Sequence, residues 1–271
     1  MILPMDAKDF MTKRFISIDA NDHLTTLIGK LKVFGELHAV VMSGKRYVGM
    51  FDKHQLVKTR INAAEVKVKN YIIRSPTLEK ATPAREVARL MFTSSMHVLP
   101  VLEKGKVIGM VCAHDLLNSI KDRVHDHTLD EVSMTKLVTL NESDNIGRAI
   151  NILKNNHIDR VPVVDGDDTL VGIATTHDLL EKYHCFPPVR QGSTGRKGAA
   201  AAPTTEPHLL KIPIRNEMSP LVYTVRDGDR LDKVIDVMDK NHISSVVVVD
   251  SRDNPVGIVT VIDLLGVVAK P

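Results

Sequence analysis

Two short phrases in this chain hold side chains at a spacing that can do chemistry: Thr175-Thr176-His177-Asp178 and Thr260-Val261-Ile262-Asp263. Each sets a hydroxyl three residues ahead of a carboxylate, directly after an apolar run and just before a leucine pair, Leu179-Leu180 or Leu264-Leu265. That order reads as strand, junction, helix. At such a junction the first backbone amides are free and the helix dipole is positive, which favours phosphate or another anion. The hydroxyl can donate to a phosphate oxygen, and the carboxylate can accept from a pair of sugar hydroxyls. Each charge-assisted bond of this kind is worth roughly 1.5–3 kcal/mol. The same Thr-x-x-Asp is also a capping box, in which the two side chains satisfy backbone amides and do nothing else. Residue types alone leave both roles open, and both can coexist.

Two further copies of the junction are degraded in instructive ways. One has Asp52 and Gln55, which still caps but offers no carboxylate at the second place; the other has Cys112 and Asp115, a poor cap with the acceptor retained. A ligand is therefore expected at the last two copies, with Asp115 as a weaker candidate. Other chemistry is thinly supported. The histidines form no HExxH, and the close pair His125 and His127 sits in a polar connector, so no metal site is expected. Gly192-Ser-Thr-Gly-Arg-Lys-Gly misses the GxxxxGK[ST] spacing and follows no strand, which rejects a phosphate loop. Nothing sets a base and an oxyanion hole around a nucleophile, so no catalytic residue is assigned.

The elements that must carry these junctions repeat along the chain. The last two junctions lie 85 positions apart, and Met134 to Leu180 superposes on Ser219 to Leu265 without a gap. Self-similarity of this kind marks a repeat architecture. Four helical stripes share the i, i+3, i+4, i+7 period: Leu24, Leu27, Ile28, Leu31; Ala84, Val87, Ala88, Met91; Ile146, Ala149, Ile150, Leu153; and Leu231, Val234, Ile235, Met238. Asp22, Thr82, Asp144 and Asp229, two residues upstream, are expected to cap them. β-Branched runs follow at 39–42, 99–102, 161–164 and 246–249, then a polar turn and a second strand running into Gly49, Gly109, Gly172 or Gly257. Each unit is thus β-α-β-β-α. No single one buries both faces of its small sheet, which predicts pairing.

Composition agrees with this α/β (α+β) reading: 43% hydrophobic residues in 271 can bury one large core or two moderate ones. Lys plus Arg exceed Asp plus Glu by only 36 to 33, which argues against a nucleic-acid footprint. Cys112 and Cys185 fit no disulfide or thiolate-metal pattern, and no apolar stretch is long enough for a bilayer. A cytoplasmic protein without a membrane partner is expected. The repeats are placed at 5–60, 66–122, 129–184 and 212–268, with 185–211, rich in Gly, Pro and Ala, as a linker lacking the apolar residues that offset chain entropy.

These features together, four β-α-β-β-α units each closing on G-h-h-[ST]-x-x-D or a variant of it, resemble CBS domains over nearly the whole chain apart from the linker. The resemblance implies that two repeats pack through their sheets into a Bateman module whose cleft binds adenosine-containing ligands such as AMP, ADP, ATP or S-adenosylmethionine. It is similar in layout to the regulatory gamma subunit of AMP-activated kinase and to small archaeal CBS proteins. In family terms the adenine slot falls on Thr139, Leu140, Ile158, Val161 and Pro162 in the third repeat, and on Thr224, Val225, Ile243 and Val246 in the fourth. Phosphate charge is often met just before the apolar-Pro step, where Arg160 stands; His38, Val98 and Ser245 occupy the matching places. Arg160 also reads as a solvated loop residue. His177 and His114, next to the motif aspartates, are read first as surface residues and second as phosphate contacts.

The function expected from this is a non-enzymatic sensor that binds an adenosyl small molecule as a regulatory ligand, with no required cofactor, and signals to a regulated protein by changing shape. The alternative is a scaffold whose repeats only cap and pack. Four repeats in one chain suffice for a monomeric disc, with a homodimer as the other assembly.

Overall fold

The computed structural model describes residues 5–53, 65–132, 134, 137–156, 158–176, 178–179 and 209–270. All but the last three residues of the expected linker, and His177, lie outside them. The apolar stripes become helices α1 (Leu24–Phe34), α2 (Ala84–Ser94), α4 (Ile146–Asn155) and α5 (Leu231–Lys240); α3 (Ala113–Ile120) and α6 (Val261–Ala269) follow the second strands of repeats 2 and 4. Fourteen of the sixteen stripe residues are buried, Leu27, Val87, Ala149 and Val234 with no exposed surface, while Ile28 and Ile150 are half-buried. Each fully buried Val or Leu contributes about 1.5–3 kcal/mol.

Repeat 1 forms a sheet of β1 (Ser17–Asp19), β2 (His38–Ser43) and β3 (Arg46–Asp52), with β1 parallel and β3 antiparallel to the central β2. Repeat 3 copies it with β6 (Leu140–Asn141), β7 (Arg160–Val164) and β8 (Leu170–Thr175), and repeat 4 with β9 (Thr224–Arg226), β10 (Ser245–Val249) and β11 (Pro255–Thr260). Repeat 2 keeps only the hairpin β4 (Val98–Glu103) and β5 (Lys106–Cys112); its third strand shrinks to a parallel bridge between Leu78 and Val101.

The helix starts differ from expectation. Thr82, Asp144 and Asp229 do not cap their helices; their side chains accept from the amides of Glu79, Asn141 and Arg226 and so close the preceding turn. The leading amide of each helix is met instead by a main-chain carbonyl from the segment that opens the partner repeat. Leu24 N donates to Val66 O and Ala84 N to Met5 O, each at 2.8 Å; Ile146 N donates to Ile212 O at 3.0 Å and Leu231 N to His127 O at 2.9 Å. Repeats 1 and 2, and repeats 3 and 4, therefore exchange their opening segments. Helix amides need a partner when withdrawn from water, and here pairing supplies it.

The same exchange accounts for the strand glycines. Thr12 pairs reciprocally with Met110, Ile73 with Met50 and Ser219 with Ile173, so the opening segments of repeats 1, 2 and 4 run across the partner's second strand. A Cβ on Gly109 would lie 2.7 Å from Thr12 O, and one on Gly49 would lie 2.6 Å from Ile73 O. Gly49 also holds φ at 152°, a conformation open to glycine and costly for other residues. Between the sheets of repeats 1 and 2, Val40, Met50, Val98 and Met110 form a shared apolar cluster.

The two pairs meet through helices. One buried cluster runs from Val87, Met91, Leu116 and Ile120 of repeat 2 into Ile235, Met238, Leu264 and Leu265 of repeat 4. Helix α6 lies against α2 and α3, and a Cβ on Gly266 would strike the Phe92 ring. Polar bonds edge this contact: Asp239 accepts from Asn118 at 2.7 Å and faces His114 at 3.2 Å, and Lys121 pairs with Asp236 at 2.6 Å.

Candidate functional site

Thr260 ends β11 and is the N-cap of α6, so its side chain sits where the free amides of a helix open. Its hydroxyl donates to Asp263 Oδ2 at 2.7 Å and accepts from the Asp263 amide at 3.3 Å, while the Thr260 amide donates to the same Oδ2 at 2.8 Å. The capping box is complete, yet it uses one carboxylate oxygen. Asp263 Oδ1 has no hydrogen-bond partner among the described residues, and a carboxylate offers about four lone-pair sites over its two oxygens. Thr175 and Asp178 repeat the arrangement, with Thr175 Oγ1 donating to Asp178 Oδ2 at 2.6 Å and accepting from the Asp178 amide at 3.2 Å.

A cavity of about 450 Å³ opens beside Thr260 and Asp263. Its other walls come mainly from repeat 3: Leu137, Val138 and Ile158 give apolar surface, and Asp159 and Arg160 give charge. Repeat 4 adds Ser244 and Ile258, and repeat 2 adds His97. The volume lies within the range of small-molecule sites, roughly 300–1,000 Å³, and its place between repeats is typical of them.

Arg160 sets the electrostatics. It starts β7, half-buried, and its guanidinium crosses to repeat 4, where Nη1 donates to Ser245 Oγ and Nη2 to Ser244 Oγ, the latter at 3.4 Å. Among the described residues no carboxylate stands within ion-pair distance of it. Burial lowers its pKa, opposed by the charge of Asp159; a guanidinium stays charged regardless.

Of the residues picked out from sequence, Ile158, Arg160, Thr260 and Asp263 line this one cavity. The slot facing the fourth repeat's Thr-Asp pair is thus built by repeat 3. Leu140 and Val161 are buried in the core of repeat 3, and Val225 and Val246 in the core shared by repeats 2 and 4. Pro162 is buried on β7, Thr139 and Ile243 are half-buried, and Thr224 and Asp115 are exposed. Thr175 and Asp178 are not among the lining residues. Leu137, Val138, Asp159, Ser244 and His97 were not foreseen. A signal for three of them existed: Asp159, Ser244 and His97 hold one register position, directly before Arg160, Ser245 and Val98.

A smaller cavity of about 300 Å³ lies on the other side of Asp263, between α2 and α6, with Phe92, Gly266 and Lys270 on its walls. In the first pair, the matching junction residue Cys112 faces Asp115 and Glu36; burial and those carboxylates push its thiol up to about 12. No helix among the described residues is long and apolar enough to cross a membrane.

Comparison with known proteins gives four matches to the CBS domain model, at residues 7–62, 68–122, 129–184 and 214–270. The protein MJ1404 of Methanocaldococcus jannaschii is 25% identical over 99% of this chain and 63% of its own length. An inosine-5'-monophosphate dehydrogenase of Thermoplasma acidophilum is 28% identical over 61% of this chain and 34% of its own length. The chain thus spans less than two-thirds of these relatives, and in the second the similar repeats are part of an enzyme. Among solved structures, protein MJ1225 of Methanocaldococcus jannaschii, a proposed archaeal homologue of the AMP-activated kinase gamma subunit, matches with TM-score 0.75 at 17% identity, covering 97% of this chain and 99% of that one. A conserved protein of Pyrococcus horikoshii matches with TM-score 0.70 at 16% identity, covering 97% of this chain and all of that one. These two likenesses concern the fold.

Proposed function

Because this chain belongs to the CBS-domain family, with four repeats in two exchanged pairs, we propose that it is a regulatory sensor binding an adenosine-containing ligand between repeats 3 and 4. The observation that carries this is the cavity itself: the Thr260-Asp263 pair of repeat 4 faces Ile158 and Arg160 of repeat 3 across a space of about 450 Å³. Sugar hydroxyls donate to Asp263 Oδ1, the oxygen the cap leaves open, and the base lies against Leu137, Val138 and Ile158. Arg160 supplies the charge.

Signalling follows from the position of α6. Its first turn carries Thr260 and Asp263, and its body packs on α2 and α3 of repeat 2. A ligand that fits one orientation of the pairs better than another shifts their balance by that difference in affinity and by no more. His97, reaching the cavity from repeat 2, makes the site sensitive to the same orientation.

The scaffold reading has one observation in its favour, the completeness of the Thr260-Asp263 cap. Titration calorimetry of the full chain with AMP, ADP, ATP and S-adenosylmethionine separates the two. A sensor binds at least one of them, and Asp263→Ala weakens that binding by about tenfold or more. Wild-type protein that binds none is a scaffold.

A further inference from the structure

Charge is not spread evenly over this chain. Residues 1–122, which hold repeats 1 and 2, contain 19 Lys and Arg against 12 Asp and Glu, whereas residues 123–271 contain 17 against 21. The near balance of the whole conceals a basic pair beside an acidic one. The excess gathers at the hairpin ends of the first pair, where the β2–β3 turn carries Lys45 and Arg46 and the β4–β5 turn carries Lys104 and Lys106. Strands β3 and β5 touch, and Tyr47 and Val107, the residues after Arg46 and Lys106, pack on the one cluster between the sheets. The two turns thus lie on the same side. Repeats 3 and 4, built alike, show the same meeting of turns, with Leu170 N donating to Asp253 O at 3.4 Å. Arg74 joins the group because its neighbour Ser75 is hydrogen-bonded to the Tyr47 hydroxyl at 2.7 Å. Lys13 and Arg14 join it through Phe15, which packs on the shared cluster.

We propose that this basic end of the first pair binds a single-stranded nucleic acid through its phosphates, without reading its sequence. All seven cations are exposed, and among the described residues none of them has an ion pair or a side-chain hydrogen bond. The carboxylates beside them are taken: Asp19 accepts the amides of Asn21 and Gly44, and Glu103 pairs with Lys80 at 2.8 Å. Like charges gathered in this way repel one another, and the fold does not require them. The matching turns of the second pair read Asp165-Gly166-Asp167-Asp168 and Asp250-Ser251-Arg252-Asp253, and Pro220 follows Ser219 where Arg74 follows Ile73. Neutralising phosphates, with release of their counterions, offsets the repulsion.

The kind of partner follows from what the patch lacks. A protein interface has an apolar centre depleted in charge and in lysine. Here four lysines and three arginines surround the half-buried Phe15 and Tyr47, and the large apolar side chains exposed among the described residues lie elsewhere, around the end of α1, on α2, before β9 and on β11. A second copy presenting its acidic turns meets the same objection, and there Arg226 already pairs with Asp253 at 2.7 Å. The cations sit on turns, strand starts and extended segments, so no helix is presented to enter a duplex groove. A flexible single strand can follow such a surface, with aromatic rings beside its bases. None of the seven lines the cavity at Asp263, so this binding stands or falls apart from the adenosyl reading.

The test is fluorescence anisotropy of the full chain, without added nucleotide, on a labelled single-stranded RNA of about 20 nucleotides between about 50 and 200 mM salt. Affinity is expected to fall about 50- to 900-fold over that range, as for about four to seven phosphates met, and a second sequence of equal length binds within about threefold. Lys45→Gln with Arg46→Gln, and Lys104→Gln with Lys106→Gln, each weaken binding and reduce the salt slope by about 1.4. Lys30→Gln with Lys32→Gln, which removes the same charge from exposed positions on α1, leaves the slope unchanged. Thermal melts establish that each variant is folded. No binding at the lowest salt overturns the proposal, as do turn variants that bind no more weakly than the α1 variant. Duplex of the same sequence or poly-glutamate bound as tightly as the single strand overturns the choice of partner. A dimer seen by sedimentation at low salt and dissolved by the turn variants assigns the patch to a second copy and overturns it too.

Discussion

At Asp263 a helix cap and the proposed ligand contact would share one carboxylate, and the cap uses only one of its two oxygens. Both cap bonds from Thr260 fall on Oδ2, so occupancy of Oδ1 leaves the helix start intact. The cap has its own energy, separable from binding: without ligand, Asp263→Ala should cost about 0.5–2 kcal/mol in urea unfolding, the usual loss for a helix cap. Cys112, at the matching junction of repeat 2, has no such double role. Its thiol is moved from 9.0 to about 12, by burial first and by Asp115 and Glu36 after that. A folded pKa raised above the unfolded one means that the folded state holds its proton longer. The stability linked to Cys112 is therefore full below about pH 9 and is lost as pH rises towards 12. In a Cys185→Ser background, Ellman's reagent at pH 8 should leave the native protein unmodified and label one thiol per chain in urea. Rapid labelling of the folded chain would contradict this.

The four repeats use one local grammar, and their glycines show which parts of it are local. A Cβ added to Gly29, mid-helix in α1, would meet nothing within 4 Å, whereas one on Gly49 meets Ile72 and the Ile73 carbonyl of the neighbouring repeat. Gly29→Ala should therefore stabilise by about 0.5–1 kcal/mol, the helix-propensity gain. Gly49→Ala should destabilise by about 1–3 kcal/mol or more, from backbone strain and overpacking. Equal effects of the two substitutions in urea titrations would remove the exchanged segment as the reason for Gly49. Helix onset follows the same division. The period of each stripe is local, but the carbonyl that completes its first turn belongs to the other repeat, so Asp144 and Asp229 are left to close the turn before it.

On the scale of the molecule, a single buried cluster joins repeats 2 and 4, which predicts that the two pairs unfold as one cooperative body. Leu265→Ala should cost about 2–5 kcal/mol. It should also lower hydrogen-exchange protection in α2 together with α6; loss confined to α6 would show that the pairs unfold separately. The polar edge matters less: Asp239→Ala should change stability by about 0–1 kcal/mol, since the His114 and Asn118 contacts are solvent-exposed and screened. Sequence alone determined the repeating unit. Side-chain period, β-branched runs and Thr-x-x-Asp spacing act over a few residues, and they sufficed to place the striped helices, the strand hairpins and the Thr260 to Asp263 cap, but not the partners of the helix starts. Tertiary structure decided which units join and what each junction faces. The bonds responsible, Arg160 to Ser245 across 85 positions and Leu231 to His127 between repeats, depend on how sheets and helices pack in space, and no local pattern of residues encodes that distance.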